Sequence, residues 1–395
     1  MRATRSTLTS LAAMSVTLTA WSAHAGSVAA TTEPAPDPSD SPASSGFTVA
    51  GALAELPADL VDEAAVITMA DLDAVTAAAG ITVPDGSTDD YLSWLMTITG
   101  TPPRGDGDSE MQFPPAVALP PMNLVQHAAM ADELEAAVGF DLADVSWFAD
   151  VSHPPSGFSV FAGAFDEATL PDTLTPVEDG IVGLGEGEDF SQRLDAPNPL
   201  SRIGVPQRLA VTEGRIAVSP DTTLVSGWLG GASGGEVDDD LVAVATALDE
   251  AGAISAVLGS LGDLEDTLGQ NATPEQREQV LARLGDMGLD DQFDDAVGIG
   301  WHAGDGQPAI SIVYSLDDDV DAAGTEAAVD SVRRVFEEGT LLLNAAPVPD
   351  YLVLDDVTTD GTVVVATVHP GPEGRPVHPY QMLERHDLPF VVIDD

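Results

Sequence analysis

The 395-residue sequence contains no cysteine and no lysine. Without cysteine there are no disulfides and no thiolate metal sites, and a cysteine-linked lipid anchor is not expected. Without lysine, all 13 basic residues are arginine, set against 66 Asp and Glu, for a formal net charge of −53. Such a chain repels nucleic-acid phosphates and anionic headgroups, so neither is an expected partner. Cations, a basic protein or a cationic cell-envelope polymer are the expected ones. Long apolar runs are also missing. No window beyond the N-terminal region holds about 18 uncharged apolar residues, so no transmembrane segment is expected.

What is present points to export. Arg2 and Arg5 form a short positive region. Residues 6–20 are uncharged and moderately apolar, and Ala23-His24-Ala25 fits a small-x-small cleavage pattern. This order of charge, apolar run and small residues predicts a signal peptide over 1–25, with cleavage before Gly26. Losing Arg2 and Arg5 would take the charge from −53 to −55 (−53 − 2). A carboxylate-rich surface of that kind stays hydrated in concentrated salt, which is the solvent the composition implies. Residues 26–46, rich in Pro, Ser and Ala, read as a disordered spacer. With 44% apolar residues the chain has material for a packed core.

From Phe47 the apolar pattern predicts an α+β fold. Residues 47–140 read as mainly helical: a short strand ending at Met69, a helix through Leu72, Val75 and Ala79, another over 90–97 with Leu92, Leu95 and Met96 inward, and a last one over 123–138. Residues 141–270 form a first α+β unit. Strands are expected at 145–151 and 158–165, a short helix from Asp166, a strand near Ile181, a hairpin around Glu213-Gly214, a strand over 223–229, and a helix over 237–251. Residues 271–395 form a second unit. A capped helix starts at Thr273, strands follow at 296–302 and 309–316, and a long helix runs from Asp317 to Glu338. A hairpin turns at Asp360-Gly361, followed by a short helix near Tyr380 and a strand over 389–393. The two units share a plan marked by Trp147, Phe165 and Asp166 in one and by Trp301, Leu316 and Asp317 in the other. The expected architecture is antiparallel sheets from two hairpin-helix-hairpin units, covered by helices on one face.

The block from Gly139 to Leu174, with Gly163-Ala164-Phe165-Asp166 after a strand, continued by residues 214–227, resembles uncharacterised exported proteins and lipoproteins of actinobacteria. The resemblance implies an extracytoplasmic α+β module and no known activity. The sequence departs from the lipoprotein members in lacking the anchoring cysteine.

Three patterns bear on chemistry. Gly231-Ala232-Ser233-Gly234-Gly235 fits the nucleophile turn of a serine hydrolase. Ser233 would be its nucleophile, between a strand and a helix, with His302, His369, His378 and His386 downstream as bases. Against it, Asp238, Asp239 and Asp240 place negative charge where an oxyanion would develop. Asp317, Asp319 and Asp321 begin like a calcium loop, but Ala322 stands where the turn glycine belongs and Ala328 where the bidentate Glu belongs. His369, His378 and His386, with Asp387, are the imidazole set from which a zinc site would be drawn, though no two sit at a local ligand spacing. Residues 183–187 resemble a phosphate loop but carry Glu186 in place of a cation and are rejected. No cofactor is implied. The residues favour a non-catalytic binding or envelope-associated protein outside the cytoplasm. A secreted serine hydrolase using Ser233 and a divalent-cation-binding module are the alternatives.

Overall fold

The structure, a computed structural model, describes residues 46–61, 66–84, 88–100, 131–231, 237–263, 292–303, 309–317, 319–342 and 344–392, together with Thr273, Glu275, Glu278 and Leu289. The signal and spacer regions, Ser233, and most of the helix expected from Thr273 lie outside them.

The fold is α+β. Helix α1 (Val49–Leu53) leads into β1 (Val66–Asp71), α2 (Leu72–Ala78), α3 (Thr88–Ile98) and α4 (Ala131–Val138). Two hairpins follow, β2 (Val145–His153) with β3 (Ser156–Gly163) and β4 (Thr175–Glu178) with β5 (Ile181–Leu184). A third joins β6 (Gln207–Thr212) to β7 (Arg215–Ser219). Helices α5 (Thr222–Leu229) and α6 (Asp239–Glu250) precede β8 (Ala253–Ser260) and the short β9 (Gly262–Asp263). The remainder is β10 (Phe293–His302), β11 (Ile310–Leu316), α7 (Ala322–Glu338), β12 (Leu352–Asp360), β13 (Val363–Pro370), α8 (His378–Leu383) and β14 (Val391–Val392).

Twelve strands make one antiparallel sheet in the order β12-β13-β11-β10-β8-β1-β2-β3-β7-β6-β5-β4. The two expected units thus share a single sheet, and β1, from the stretch read as mainly helical, stands near its middle. From that middle outward the order repeats: β1-β2-β3-β7-β6 on one side, β8-β10-β11-β13-β12 on the other. Each half is a lone strand, then a hairpin, then a second hairpin with its later strand inside. Helices α1 and α6, which precede β1 and β8, pack on each other. The Asp249 carboxylate near the end of α6 accepts from the N–H groups of Val49 and Ala50 at 2.5 and 3.0 Å, so it caps α1 from the other half of the chain.

Over its middle strands the sheet is buried on both faces, not one. Where β1 meets β8, Ile67 pairs with Leu258 and Met69 with Ala256, and all four join a front core with Trp147, Val160, Val225, Trp228, Val244 and Leu248. Thr68, Ala70, Val257 and Ser255 face the back. There one core packs under α2–α4, around Leu72, Trp94, Phe148 and Phe161. A second packs under α7 and α8, around Val257, Trp301, Tyr314, Val332 and Phe390. Trp147 therefore faces front and Trp301 back, so the two tryptophans are not equivalent positions. Helix α6 lies close on β10 because that strand has glycine beneath it. A Cβ at Gly298 would stand 2.5 Å from Val244, and one at Gly300 would stand 2.8 Å from Leu248.

Several local expectations need correction. Residues 223–229 form helix α5, not a strand. Asp221 caps it through Thr223 N–H, and Val225 and Trp228, three apart, both bury. No helix starts at Asp166. Its carboxylate accepts from Ala168 N–H and its own N–H bonds Thr169, which closes a turn instead. Residues 253–260, for which the pattern predicts no element, form the central strand β8.

Candidate functional site

The residues singled out from sequence are put to other uses. Asp317 accepts from Asp319 N–H at 2.8 Å, and Asp321 caps α7 by accepting from Ala323 and Gly324 N–H at 3.0 Å each. The Asp317 and Asp321 carboxylates thus bond nearby backbone, the second as a helix start requires. His369 Nδ1 lies 2.9 Å from Asp355 on the neighbouring strand. His378 stacks edge-on against Tyr351 at 5.2 Å, and its Nδ1 accepts from Arg375 N–H. Burial, then the charges of Arg375 and Arg385, hold the His378 imidazole below its usual range. The His386 ring packs over Gly262. Among the described residues no group of three or more His, Asp or Glu is placed to hold a metal. Ser233 lies outside the described residues. The element before it is helix α5, ending at Gly230 and a left-handed Gly231, so the strand-turn-helix setting of a hydrolase nucleophile is not met. His302 Nε2 lies 2.9 Å from Ser311 across the β10–β11 ladder, both buried.

The sequence patterns did not point to the place with the shape of a binding site. A cleft of about 600 Å³ lies between α3 and residues 80–84, which follow α2. Its size is that of small-molecule sites. Helix α3 turns Tyr91, Trp94, Leu95 and Ile98 into the back core, whereas Leu92 and Met96 are 36% and 44% exposed. The expected phase is thus rotated. The aromatic pair, in contact at 5.6 Å, has more area to bury than Leu92 and Met96. This rotation brings Asp90, Ser93 and Thr97 to the cleft, whose other side is lined by Gly80, Ile81, Thr82, Val83 and Pro84. Trp94 also borders it, with its ring held in place: the indole N–H donates to buried Thr76 Oγ1 at 2.9 Å.

A second unusual place is internal. Asp150 on β2 is 2% exposed and faces the back of the sheet. Its register partners are Thr68 on β1 and Ser159 on β3. The Ser159 hydroxyl donates to Asp150 Oδ1, while Asp150 Oδ2 and Thr68 Oγ1 are buried without hydrogen-bond partners. Burial pushes the Asp150 carboxyl up to about 7 despite the Ser159 hydrogen bond. Tyr380 on α8, raised first by burial and by its hydrogen bond to Glu384, is raised slightly further by the Asp150 charge.

A third network ties down the long connection before β6. Arg208, 4% exposed, pairs with Asp189 at 2.8 Å and donates to Gly187 O. Asp189 also accepts from the N–H and hydroxyl of Thr222 at the start of α5. Burial raises the Asp189 carboxyl, but these hydrogen bonds and the Arg208 charge outweigh it and hold the group below the usual carboxylate range.

Among the described residues no helix is long and apolar enough to cross a membrane. No family model matches the chain, and no curated protein does. Among solved structures, crystal form I of TP0453 is similar over 80% of this chain and 91% of that one, at 7% identity and a TM-score of 0.27.

Proposed function

We propose that the protein is a non-catalytic, extracytoplasmic binding protein with a surface adapted to high salt, and that its ligand occupies the cleft beside α3. The cleft carries this reading. It has the volume of a small-molecule site, the side chains of Ile81, Thr82, Val83 and Pro84 on one side, and three polar side chains presented by one helix on the other. The charged, apolar and small-residue segments at the N-terminus support export, as does the resemblance to exported actinobacterial proteins. The absence of lysine and the net charge of −53 support the solvent assignment.

Two experiments test it. In a thermal-shift screen of amines, acids and alcohols, compounds that stabilise the wild type are expected to lose that effect in Ser93→Trp. Ser93 is exposed, so the indole fills the cleft and leaves the core alone. If no compound distinguishes the two proteins, the cleft is not the site. Separately, the melting temperature is expected to rise from low to molar NaCl as salt screens self-repulsion, and a steady fall would refute the solvent assignment. A fluorophosphonate label lost in Ser233→Ala would displace the non-catalytic reading in favour of a hydrolase.

A further inference from the structure

We propose that Arg375, His378, Arg385 and Tyr351 form a second binding site, for a single phosphate group, free or as a small ester. It shares no residue with the cleft beside α3 and does not rest on it. The loop between β13 and α8 carries Arg375 and is pinned in three places. Gly371 N–H donates to Tyr351 O at 2.8 Å, Pro376 O accepts from the buried Trp301 indole at 2.7 Å, and Gly374 packs too close to Tyr351 O for a Cβ. Buried Met382 and Leu383 anchor α8 in the back core. The backbone that carries these side chains is thus fixed before any ligand arrives.

What the four side chains offer is donors. His378 Nδ1 accepts from Arg375 N–H at 3.1 Å, which puts the imidazole proton on Nε2. The Tyr351 ring lies edge-on to His378, and its hydroxyl accepts from Asn344 and keeps its own proton to give. Arg375 and Arg385 are exposed and pair with no carboxylate among the described residues, whereas Arg193, Arg208, Arg215 and Arg333 each do. The charges that register at His378 are those of Arg375 and Arg385, and no acid's, in a chain with 66 acids. Glu384, the acid closest in sequence to Arg385, bonds Tyr380 instead.

Two guanidinium groups and two neutral donors call for an anion with several acceptor oxygens, and a phosphate brings close to two charges and three such oxygens. A metal ion would face two positive charges, and a neutral ligand would leave both unanswered. The rest of the surface limits the size. With a Debye length of about 10 Å at 0.1 M salt, a single phosphate meets mainly the local arginines. A polyanion would run its further charges over a chain of net charge −53.

The test is calorimetry at about 0.1 M salt with inorganic phosphate, phenyl phosphate and acetate. Phosphate is expected to bind with a dissociation constant of about 1 mM, about tenfold tighter than acetate. Arg375→Gln and Arg385→Gln are each expected to weaken phosphate about fivefold to tenfold, and Tyr351→Phe about threefold. Arg202→Gln, at an exposed arginine in the connection before β6, should leave it unchanged. Arg375 and Arg385 are exposed, so both variants keep the core, as melting curves of the unliganded proteins check. Phenyl phosphate binding more tightly than phosphate identifies an ester as the ligand, and equal binding identifies free phosphate; both support the site. Acetate matching phosphate overturns the phosphate assignment. A loss in Arg202→Gln as large as in Arg385→Gln is a general charge effect and overturns the site, as does a wild type that takes up no phosphate.

Discussion

Asp150→Asn is expected to stabilise the protein by about 4 kcal/mol at pH 8 and to change it little at pH 4. In the folded chain the carboxyl is raised to about 7 from its ordinary 3.8. The folded state therefore holds a proton that the unfolded state releases between those values. A raised carboxyl stabilises the fold in acid, and that contribution is lost as pH climbs from about 4 to about 7. Above 7 the fold contains a charged carboxylate at 2% exposure, with one oxygen bonded to Ser159 and the other unpartnered. An amide keeps the acceptor for Ser159 and turns a donor toward the side where Thr68 Oγ1, the register partner, has no bond. Urea unfolding at the two pH values measures the difference, and other titrating groups cancel between variant and wild type. Equal effects at pH 4 and pH 8 would show that Asp150 is not the group responsible.

Asp189→Ala is expected to do the opposite, with a loss of about 3 kcal/mol at pH 7. The loss comes from Arg208, whose side chain is 5% exposed and would remain charged without its partner. The Thr222 N–H and hydroxyl lose their acceptor as well, which loosens the start of α5. Asp189 is held below its ordinary range, so its contribution is complete above pH 4 and fades as pH falls through the lowered value. The gap between variant and wild type should therefore close in acid. A second substitution, Arg208→Met, should recover part of the loss at pH 7, because the stranded charge is then gone. No recovery in the double variant would place the damage in the backbone of the loop.

How much of this is legible in the chain depends on how many faces each element buries. The hairpins around Glu213-Gly214 and Asp360-Gly361, helix α6 and the long helix before Glu338 follow from turn chemistry and one apolar stripe. Strand β8, AISAVLGS, is buried on both sides and rich in small residues, so it lacks the alternation that marks a half-buried strand. The same cause hides Asp150. The back face of β2 reads Ser146, Phe148, Asp150 and Ser152, which looks like a solvent face until a second layer is known to cover it. Helix α5 reads as a strand because Thr222, Thr223 and Val225 are β-branched, and the Asp221 cap overrides that preference. The α+β class survives these misreadings because it needs only the hairpins and the helices between them. The cleft depends on a rotation of α3 by about one residue, which no periodicity in an eleven-residue helix resolves.

The repeated strand order also bears on synthesis. Strand β1 gains its neighbour β2 once residue 152 has been made, but its other neighbour ends at Ser260, and the pairing joins Ile67 to Leu258. Over the intervening stretch of nascent chain, one rim of the growing sheet displays the unpaired amides and carbonyls of an apolar strand. Such a rim recruits any extended segment that drifts past. In this chain it ends as an interior seam, so the second half serves the first as the cover for its open edge.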